Sequence, residues 1–279
     1  MSEPVVRVSC VRHTYPDRTQ VHLCGLDFVV EKGQRVVILG PNGSGKSTLL
    51  FHILGLLEPQ EGEVSVFGVN PARQFSKIRE RVGVLFQNVE EQIIAPTVWD
   101  DVSYSPRNYG HTEDEVETMV TAALQCVEIE HLRHKVCHHL SGGERRKVAL
   151  ASILALQPEV LLLDEPTAGL DPRSHAEIMV KLQGLQAAGK TLVVSSHRME
   201  DLAELTGALT LFDEGRTPLS GPLFEVFGRK EVLEAAGLEQ PLAVQAAAWL
   251  REQGWQIPEA VVTPEQLVDV VAALAEVRP

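Results

Sequence analysis

The amino-acid sequence predicts an α/β fold, and three observations support that prediction. Near-continuous apolar runs at 35–39, Val160–Leu163 and Thr191–Ser195 are typical of parallel strands that are buried on both faces. Between about 88 and 156 the apolar residues recur at helical spacing instead. After residue 221 the pattern changes to short helices separated by glycine and proline. We therefore expect a parallel core sheet, an inserted helical subdomain and a small C-terminal helical extension.

The remaining predicted elements complete this arrangement. Strand-like runs predict an antiparallel β subdomain at Val5–Val8, Asp27–Val30 and Glu63–Phe67, and a further core strand at Val82–Phe86. In the helical insertion, the segment Thr112–Glu115 has the spacing of a capping box, so we expect a helix to begin there. The expected helices of the C-terminal extension are Leu223–Phe227, Lys230–Ala236, Ala243–Gln253 and Pro264–Ala275.

A glycine-rich segment directly follows the first core strand. Residues 40–47 contain the complete phosphate-binding pattern GxxxxGK[S/T], and a helix-compatible run follows them. Glycines let the backbone turn its N–H groups towards phosphate oxygens. Lys46 would reach the β- and γ-phosphates of a nucleotide, and the Ser47 hydroxyl would ligate Mg²⁺. The candidate nucleotide contacts here are Gly40, Pro41, Asn42, Gly43, Ser44, Gly45, Lys46, Ser47 and Thr48. The expected cofactors are ATP and Mg²⁺.

Two adjacent acids, Asp164 and Glu165, stand at the end of the apolar strand Val160–Leu163. Carboxylates in this position are costly unless a cation or a reacting group uses them. We expect Asp164 to hold Mg²⁺, directly or through water, and Glu165 to polarise the attacking water. His197 comes after the strand Thr191–Ser195 in a similar way, and we expect it to contact the γ-phosphate.

A second glycine-marked helix start occurs at 141–144, which reads Ser-Gly-Gly-Glu. Ser141 and Glu144 satisfy a capping box, but a plain cap needs neither glycine, and each glycine costs about 1 kcal/mol of helix propensity. Close approach of the backbone to an anion would explain them. Since Lys46 and its loop already enclose one triphosphate, we expect this segment to contact a nucleotide held by another subunit. Two chains would then face head to tail around two ATP molecules.

Composition argues against several other classes of function. The formal net charge of −13 disfavours a nucleic-acid partner, which requires clustered Lys and Arg. We expect a cytosolic chain because no apolar stretch of about 20 residues and no signal-peptide pattern are present. The four cysteines include no C-x-x-C pair and are expected to be reduced. Residues 131–139 contain His and Cys, but a connecting segment is favoured over a zinc site because no second ligand cluster accompanies them.

With these motifs in this order, residues 5–220 resemble the ATP-binding subunit of an ABC transporter, a P-loop NTPase with a RecA-like core. The resemblance implies that the chain hydrolyses ATP. It also implies that Tyr15 stacks on adenine, and that Gln87 senses Mg²⁺ and the membrane partner. Leu140–Glu144 resembles the family's signature motif, although Glu144 stands where glutamine is more common.

Further roles follow from the same resemblance. Ala168–Asp171 resembles the D-loop, and His197 resembles the switch histidine. The candidate catalytic residues are Lys46, Gln87, Glu165 and His197, and the candidate metal ligands are Ser47, Gln87 and Asp164. Beyond the phosphate-binding loop, the candidate nucleotide contacts are Tyr15, Ser141, Gly142, Gly143, Glu144 and Asp171.

Shorter motifs narrow the resemblance to the energy-coupling factor (ECF) ATPases of cobalt and nickel importers. These motifs are Tyr15–Asp17, Gln87–Asn88, Glu91–Gln92, Ala95–Val98, Asp101–Val102, Pro106–Asn108 and His138–His139. The resemblance implies a nucleotide-binding domain at 1–221, with its helical subdomain at about 88–156. It also implies that the extension at 222–279 helps two ATPases to associate.

The implied partners are a second ATPase, either identical or a paralogue, an integral membrane transporter subunit and a substrate-binding membrane component. The expected location is therefore peripheral, on the cytoplasmic face of the cell membrane. A vitamin is the alternative cargo. A soluble ABC ATPase without a transport role is a less favoured alternative, because such proteins usually carry two cassettes, long coiled-coil insertions or zinc modules.

Overall fold

The structure of the chain, a computed structural model, describes residues 4–17, 20–23, 28–41, 43–196, 208–213 and 216–277. The strands are β1 (Val6–Thr14), β2 (Gln20–Leu23), β3 (Phe28–Val30), β4 (Arg35–Leu39), β5 (Glu61–Val66), β6 (Val82–Leu85), β7 (Val160–Asp164), β8 (Thr191–Ser196), β9 (Ala208–Asp213) and β10 (Arg216–Pro222). The helices are α1 (Lys46–Ile53), α2 (Pro71–Gln74), α3 (Val89–Gln92), α4 (Val98–Asn108), α5 (Glu113–Cys126), α6 (Gly142–Leu154), α7 (Pro172–Ala187), α8 (Leu223–Gly228), α9 (Lys230–Ala235), α10 (Leu242–Glu252) and α11 (Pro264–Val277).

The larger sheet has six strands in the order β10-β9-β4-β8-β7-β6. Its strands β9, β4, β8, β7 and β6 are parallel, and β10 pairs antiparallel with β9 at the edge. Strands β4, β7 and β8 are buried along their whole length, as their continuous apolar runs predict. The predicted α/β fold class is therefore confirmed.

The smaller sheet is antiparallel. Strand β1 pairs with β2, β3 and β5, and the register of its first residues places Val6 opposite Val30 on one side and opposite Val66 on the other. The structure thus contains the predicted antiparallel β subdomain, although Asp27 of the predicted strand lies outside the described residues.

Two hydrophobic cores lie on opposite faces of β4. Val36 and Ile38 belong to a core shared with helix α1 and the antiparallel sheet. Val37 and Leu39 belong to a second core shared with helices α4 to α7. Because successive strand residues point to opposite faces of the sheet, β4 contributes side chains to both cores.

Helices α3 to α6 lie between strands β6 and β7 in the chain, where the helical insertion is predicted. The capping box that starts α5 is confirmed: Glu115 N donates to Thr112 Oγ1 at 3.4 Å, and Thr112 N donates to Glu115 Oε2 at 2.8 Å. Helix α4 packs against both α5 and α6. These contacts form a helical layer that holds the start of α6 beside the larger sheet.

Strands β2, β9 and β10 are missing from the sequence-based prediction. Strand β10 contains Pro218 and Gly221, which break the apolar alternation that marks a strand. It is nevertheless stable at the edge of the sheet, since an edge strand needs partners on one side only. The predicted C-terminal extension at 222–279 therefore starts at the last residue of an edge strand that the sequence pattern does not indicate.

The expectation of reduced cysteines is wrong for Cys10, which is disulfide-bonded to a partner outside the described residues. Cys126 and Cys137 are free. Local spacing cannot reveal such a pair, because the folded arrangement of the chain decides which cysteines meet. None of the described helices combines the length and the apolar character that crossing a lipid bilayer requires.

Candidate functional site

The phosphate-binding loop connects the end of β4 to the start of α1. Gly43 and Gly45 have φ angles of 83° and 104°, in the left-handed region that favours glycine. At Gly40 the constraint is steric, because an added Cβ would lie 2.4 Å from the backbone oxygen of Phe212 in β9. The loop is thus fixed both by its own turn and by the strand next to it.

Lys46 is buried at the first position of α1, only 6% exposed. Its Nζ donates hydrogen bonds to the backbone oxygens of Gly40 at 2.8 Å and Pro41 at 3.0 Å. Burial lowers the pKa of Lys46, and the nearby carboxylates of Glu165 and Asp164 oppose that change. The Lys46 ammonium group therefore lies across the loop, where it can bind an anionic ligand such as phosphate.

Ser44 gives the loop a polar group that the described residues do not pair. Its hydroxyl is buried and has no hydrogen-bond partner among the described residues. An unpaired buried hydroxyl costs free energy unless a ligand or water satisfies it. Together with the N-terminus of α1, this hydroxyl fits a bound phosphate group.

Asp164 ends strand β7 and is buried. Its Oδ2 accepts a hydrogen bond from Ser47 Oγ at 2.9 Å, and its Oδ1 accepts one from Ser195 Oγ. A carboxylate and a hydroxyl side by side are the oxygen ligands that Mg²⁺ prefers. Ser47 and Asp164 therefore fit the predicted metal site.

Glu165 follows Asp164 and has an unusual backbone conformation, with a φ angle of 45°. Its N–H group donates to the backbone oxygen of Ser195 at 3.2 Å and to Ser195 Oγ at 3.1 Å. Its carboxylate accepts a hydrogen bond from Gln87 Nε2 at 3.1 Å. A positive φ is costly for a non-glycine residue, and such residues cluster at functional sites. The hydrogen bonds to Ser195 hold Glu165 in this conformation.

A cavity of about 390 Å³ brings these groups together. Its lining residues are Tyr15, Val21, Gly43, Gly45, Lys46, Ser47, Thr48, Gln87 and Glu165. The Tyr15 hydroxyl lies 2.9 Å from Thr48 Oγ1, which ties the aromatic ring to helix α1. The cavity thus combines an aromatic face, a phosphate-binding loop and a carboxylate at one sheet edge.

The Ser141–Glu144 segment forms the N-terminus of α6 and does not line this cavity. The capping box is present: Glu144 N donates to Ser141 Oγ at 3.2 Å, and Ser141 N donates to Glu144 Oε2 at 2.7 Å. The two glycines differ. A Cβ at Gly143 would lie 2.4 Å from Ser174 Oγ of helix α7, whereas a Cβ at Gly142 would meet no described atom within 4 Å beyond its own helix. Packing explains Gly143, and it leaves Gly142 without an explanation inside the chain.

Asp171 caps helix α7 and does not line the cavity. Its Oδ1 accepts hydrogen bonds from the backbone N–H groups of Arg173 at 3.0 Å and Ser174 at 3.1 Å, and its Oδ2 accepts one from Ser174 Oγ at 2.7 Å. The hydrogen bond from the Ser174 hydroxyl is the largest cause of its lowered pKa. Its predicted nucleotide contact thus remains a prediction. The predicted residues Asn42 and His197 lie outside the described part of the chain.

Three residues of the site were not anticipated from the sequence. Ser195 orients both Asp164 and the Glu165 backbone, Val21 lines the cavity, and the buried Arg146 donates to the backbone oxygens of the segment after Glu165. A hydroxyl at the end of a buried strand could have indicated Ser195. Nothing in the local pattern around Val21 or Arg146 indicates these contacts.

Comparison with known proteins agrees with this geometry. A family model described as ABC transporter matches residues 23–168. The chain is 41% identical over 275 residues to the "Energy-coupling factor transporter ATP-binding protein EcfA2" of Symbiobacterium thermophilum, across 96% of this chain and 95% of the relative. It is 38% identical over 256 residues to EcfA of Methanothermobacter thermautotrophicus, across 91% of this chain and 82% of the relative.

Solved structures show the same fold. One is cbiO1 from Clostridium perfringens, described as part of the ABC transporter complex cbiONQ, with 34% identity and a TM-score of 0.75 over 90% of this chain and 100% of that one. Another is an ATP-binding cassette in a dimeric, post-hydrolysis state with ADP and Pi, with 29% identity and a TM-score of 0.69 over 78% of this chain and 98% of that one. These likenesses confirm the predicted P-loop fold of the ABC type.

Proposed function

Because the chain belongs to the ABC transporter family, among the ATP-binding proteins of energy-coupling factor transporters, we propose that it powers uptake of cobalt or nickel ions through separate membrane subunits. The resemblance predicted from the motifs is thereby confirmed at the level of the family. Proteins of this family bind ATP and hydrolyse it. The cargo and the assembly are the proposed part.

In the proposed reaction, the chain's own residues bind, orient and accept a proton. Lys46 and the amides of the phosphate-binding loop hold the phosphates, and Tyr15 offers its ring to the base. Mg²⁺, held by Ser47 and Asp164, would neutralise charge on the phosphates. Glu165 accepts the proton of the attacking water, and Gln87 orients the Glu165 carboxylate through its hydrogen bond.

The proposed active unit is a pair of ATPase chains, identical or paralogous. The N-terminus of α6 supports this pairing, because Gly142 leaves an open approach to the positive end of a 13-residue helix. In a head-to-tail pair, this end would meet the nucleotide of the partner subunit. The C-terminal extension offers further apolar surface for association, at the exposed side chains of Leu242, Trp249 and Val268.

The membrane subunit would dock in an apolar groove between the larger sheet and helix α4. The groove has a volume of about 270 Å³, and Phe75, Ile94 and Tyr104 on its walls are exposed. Large exposed apolar side chains gathered around one depression are typical of a protein-binding surface. Docking here would place the chain at the cytoplasmic face of the membrane.

Hydrogen bonds of Gln92 and of Gln87, linked by the backbone between Phe86 and Gln87, connect this groove to the candidate base. Gln92 lines the groove, donates to the backbone oxygen of Val84 at 2.8 Å, and accepts from the backbone N–H of Phe86 at 3.0 Å. Gln87 directly follows Phe86 in the chain, and its side chain donates a hydrogen bond to the Glu165 carboxylate at 3.1 Å. This last bond is the observation that carries the transport proposal, because it joins the segment that would face the membrane subunit to the proposed general base.

The test is to purify the complex with its membrane subunits, place it in lipid vesicles and measure uptake with ATP turnover. We expect Co²⁺ or Ni²⁺ to be taken up at the expense of ATP, and the Glu165→Gln complex to take up neither. ATP-driven uptake of a vitamin, with no metal uptake, would replace the proposed cargo by the alternative one. A protein that never co-purifies with membrane subunits would contradict the transport role.

A further inference from the structure

Arg146 connects helix α6 to the segment that carries Glu165. The residue lies in the second turn of α6 and is only 5% exposed. Its Nη1 donates to the backbone oxygen of Glu165 at 3.2 Å, and its Nη2 donates to that of Ala168 at 2.9 Å. One guanidinium group thus holds both ends of the turn that follows the candidate base.

A buried arginine in this position is costly for the fold. Within the described residues Arg146 forms no ion pair, and its Nε has no hydrogen-bond partner. Burial lowers the pKa of Arg146 by desolvating the charge, and the nearby Glu165 carboxylate opposes that change. Because a neutral side chain could fill this space at lower cost, stability alone is a weak reason for an arginine here.

The far end of the same segment is also attached to α6, through helix α7. A Cβ at Gly143 would lie 2.4 Å from Ser174 Oγ, so the first turns of α6 and α7 are in close contact. Ser174 donates to Asp171 at 2.7 Å, at the end of the segment 165–171. The segment is therefore held to α6 by Arg146 near its start and by the Gly143–Ser174 contact near its end.

We propose that Arg146 is a positioning residue that couples the two half-sites of one chain. The N-terminus of α6 faces the partner subunit's nucleotide, and Arg146, one helical turn further on, fixes the backbone of Glu165 beside the chain's own nucleotide. Engagement of the partner thereby sets the orientation of the base. The inference rests on the proposed paired arrangement and adds to it a named link between the two sites.

The test measures kcat and KM for ATP, with the thermal unfolding midpoint, in Arg146→Met, Arg146→Gln and Lys147→Met. Methionine removes both donors, and we expect a loss of about tenfold in kcat with KM within about twofold, since two hydrogen bonds position the base. Glutamine keeps an N–H donor and is expected to lie between the methionine variant and the parent. Lys147→Met, on the same helix, loses an ion pair to Glu177 of 2.6 Å and is expected to keep the parent's kcat.

Parent kcat in Arg146→Met would overturn the proposal, and so would a rise in KM that matches the loss in kcat. If Arg146→Met does not fold, the glutamine variant decides: a reduced kcat at unchanged KM supports the link, and parent kcat contradicts it. The parent is assayed over a range of protein concentrations. Turnover that does not depend on pairing would overturn the paired arrangement itself, whereas pairing-dependent turnover that is insensitive to Arg146 would overturn only this inference.

Discussion

Two helix N-termini in this chain carry glycines, and their surroundings differ. At α1, Lys46 has two backbone partners, and the loop lines a cavity that also contains Gln87 and Glu165. At α6, the capping box satisfies Ser141 and Glu144, and a Cβ at Gly142 would meet no described atom within 4 Å beyond its own helix and chain neighbours. At the first terminus the same chain supplies a surrounding cavity, whereas the second is a capped helix end at which the described residues leave Gly142 open.

These glycines differ in whether packing within the chain requires them. Gly40 and Gly143 lie against neighbouring atoms of the same chain, so a side chain would disturb the fold. Gly142 has no such neighbour, so the described part of the chain offers no packing reason for a glycine there. Substitutions at these positions can therefore test the difference directly.

The largest expected effect concerns the cavity beside α1. Glu165→Gln should lower ATP turnover on the order of 10²-fold, because an amide cannot accept the proton of the attacking water. Nucleotide binding should persist, since the phosphate-binding loop is unchanged. Equilibrium binding and steady-state hydrolysis of the purified protein provide the measurement. Turnover at the parent rate would remove Glu165 from the role of the base.

Gly143→Ala should destabilise the fold by about 1–3 kcal/mol, because its methyl group would collide with Ser174. Urea denaturation measures this change. The double variant Gly143→Ala with Ser174→Gly should recover part of the loss, since it removes the obstructing side chain. An unchanged free energy of unfolding in the single variant would show that α6 and α7 are not in contact as described.

Gly142→Ala should raise the stability of the fold and lower ATP turnover. Stability should rise by up to about 1 kcal/mol, because alanine is the better helix former and meets no neighbour. ATP turnover should fall about tenfold if the proposed pairing is correct, because the methyl group would then stand between α6 and the nucleotide of the partner subunit. Gly184→Ala is the matched control: this glycine lies in α7 with equally open surroundings and should gain stability without losing turnover. Equal turnover in both variants would contradict a contact at Gly142.

The smallest expected effect is the pH dependence of the cap at α6. The hydrogen bond from the Ser141 N–H holds the pKa of Glu144 below its ordinary value of 4.5. A lowered pKa in the folded state stabilises the fold above about pH 4.5 and loses this contribution as the pH falls further. The stability advantage of the parent over Glu144→Gln should therefore shrink between pH 5 and about pH 3, by a small amount because the carboxylate is partly exposed. Urea denaturation across that range measures it, and a constant difference would exclude the carboxylate as its source.

The sequence predicts the parts of this site that depend on short segments. The phosphate-binding loop, the acids after β7 and both capping boxes are patterns of a few adjacent residues, and their geometry follows from local hydrogen bonding. Strand β10 escaped prediction because Pro218 and Gly221 are acceptable at a sheet edge. Arg146 escaped because its partners lie 19 and 22 residues away and meet it only in the folded chain.

The contact between Gly40 and Phe212 has a consequence for biosynthesis. The phosphate-binding loop is made early, but the strand against which it packs, β9, ends only at Asp213. Until β8 and β9 have been synthesised, both edges of β4 lack a partner strand, and the loop lacks the strand against which Gly40 packs. The newborn protein should therefore acquire its affinity for nucleotide late, after most of the polypeptide has left the exit tunnel. Arrested nascent chains that end before and after β9 would differ in whether they retain ATP.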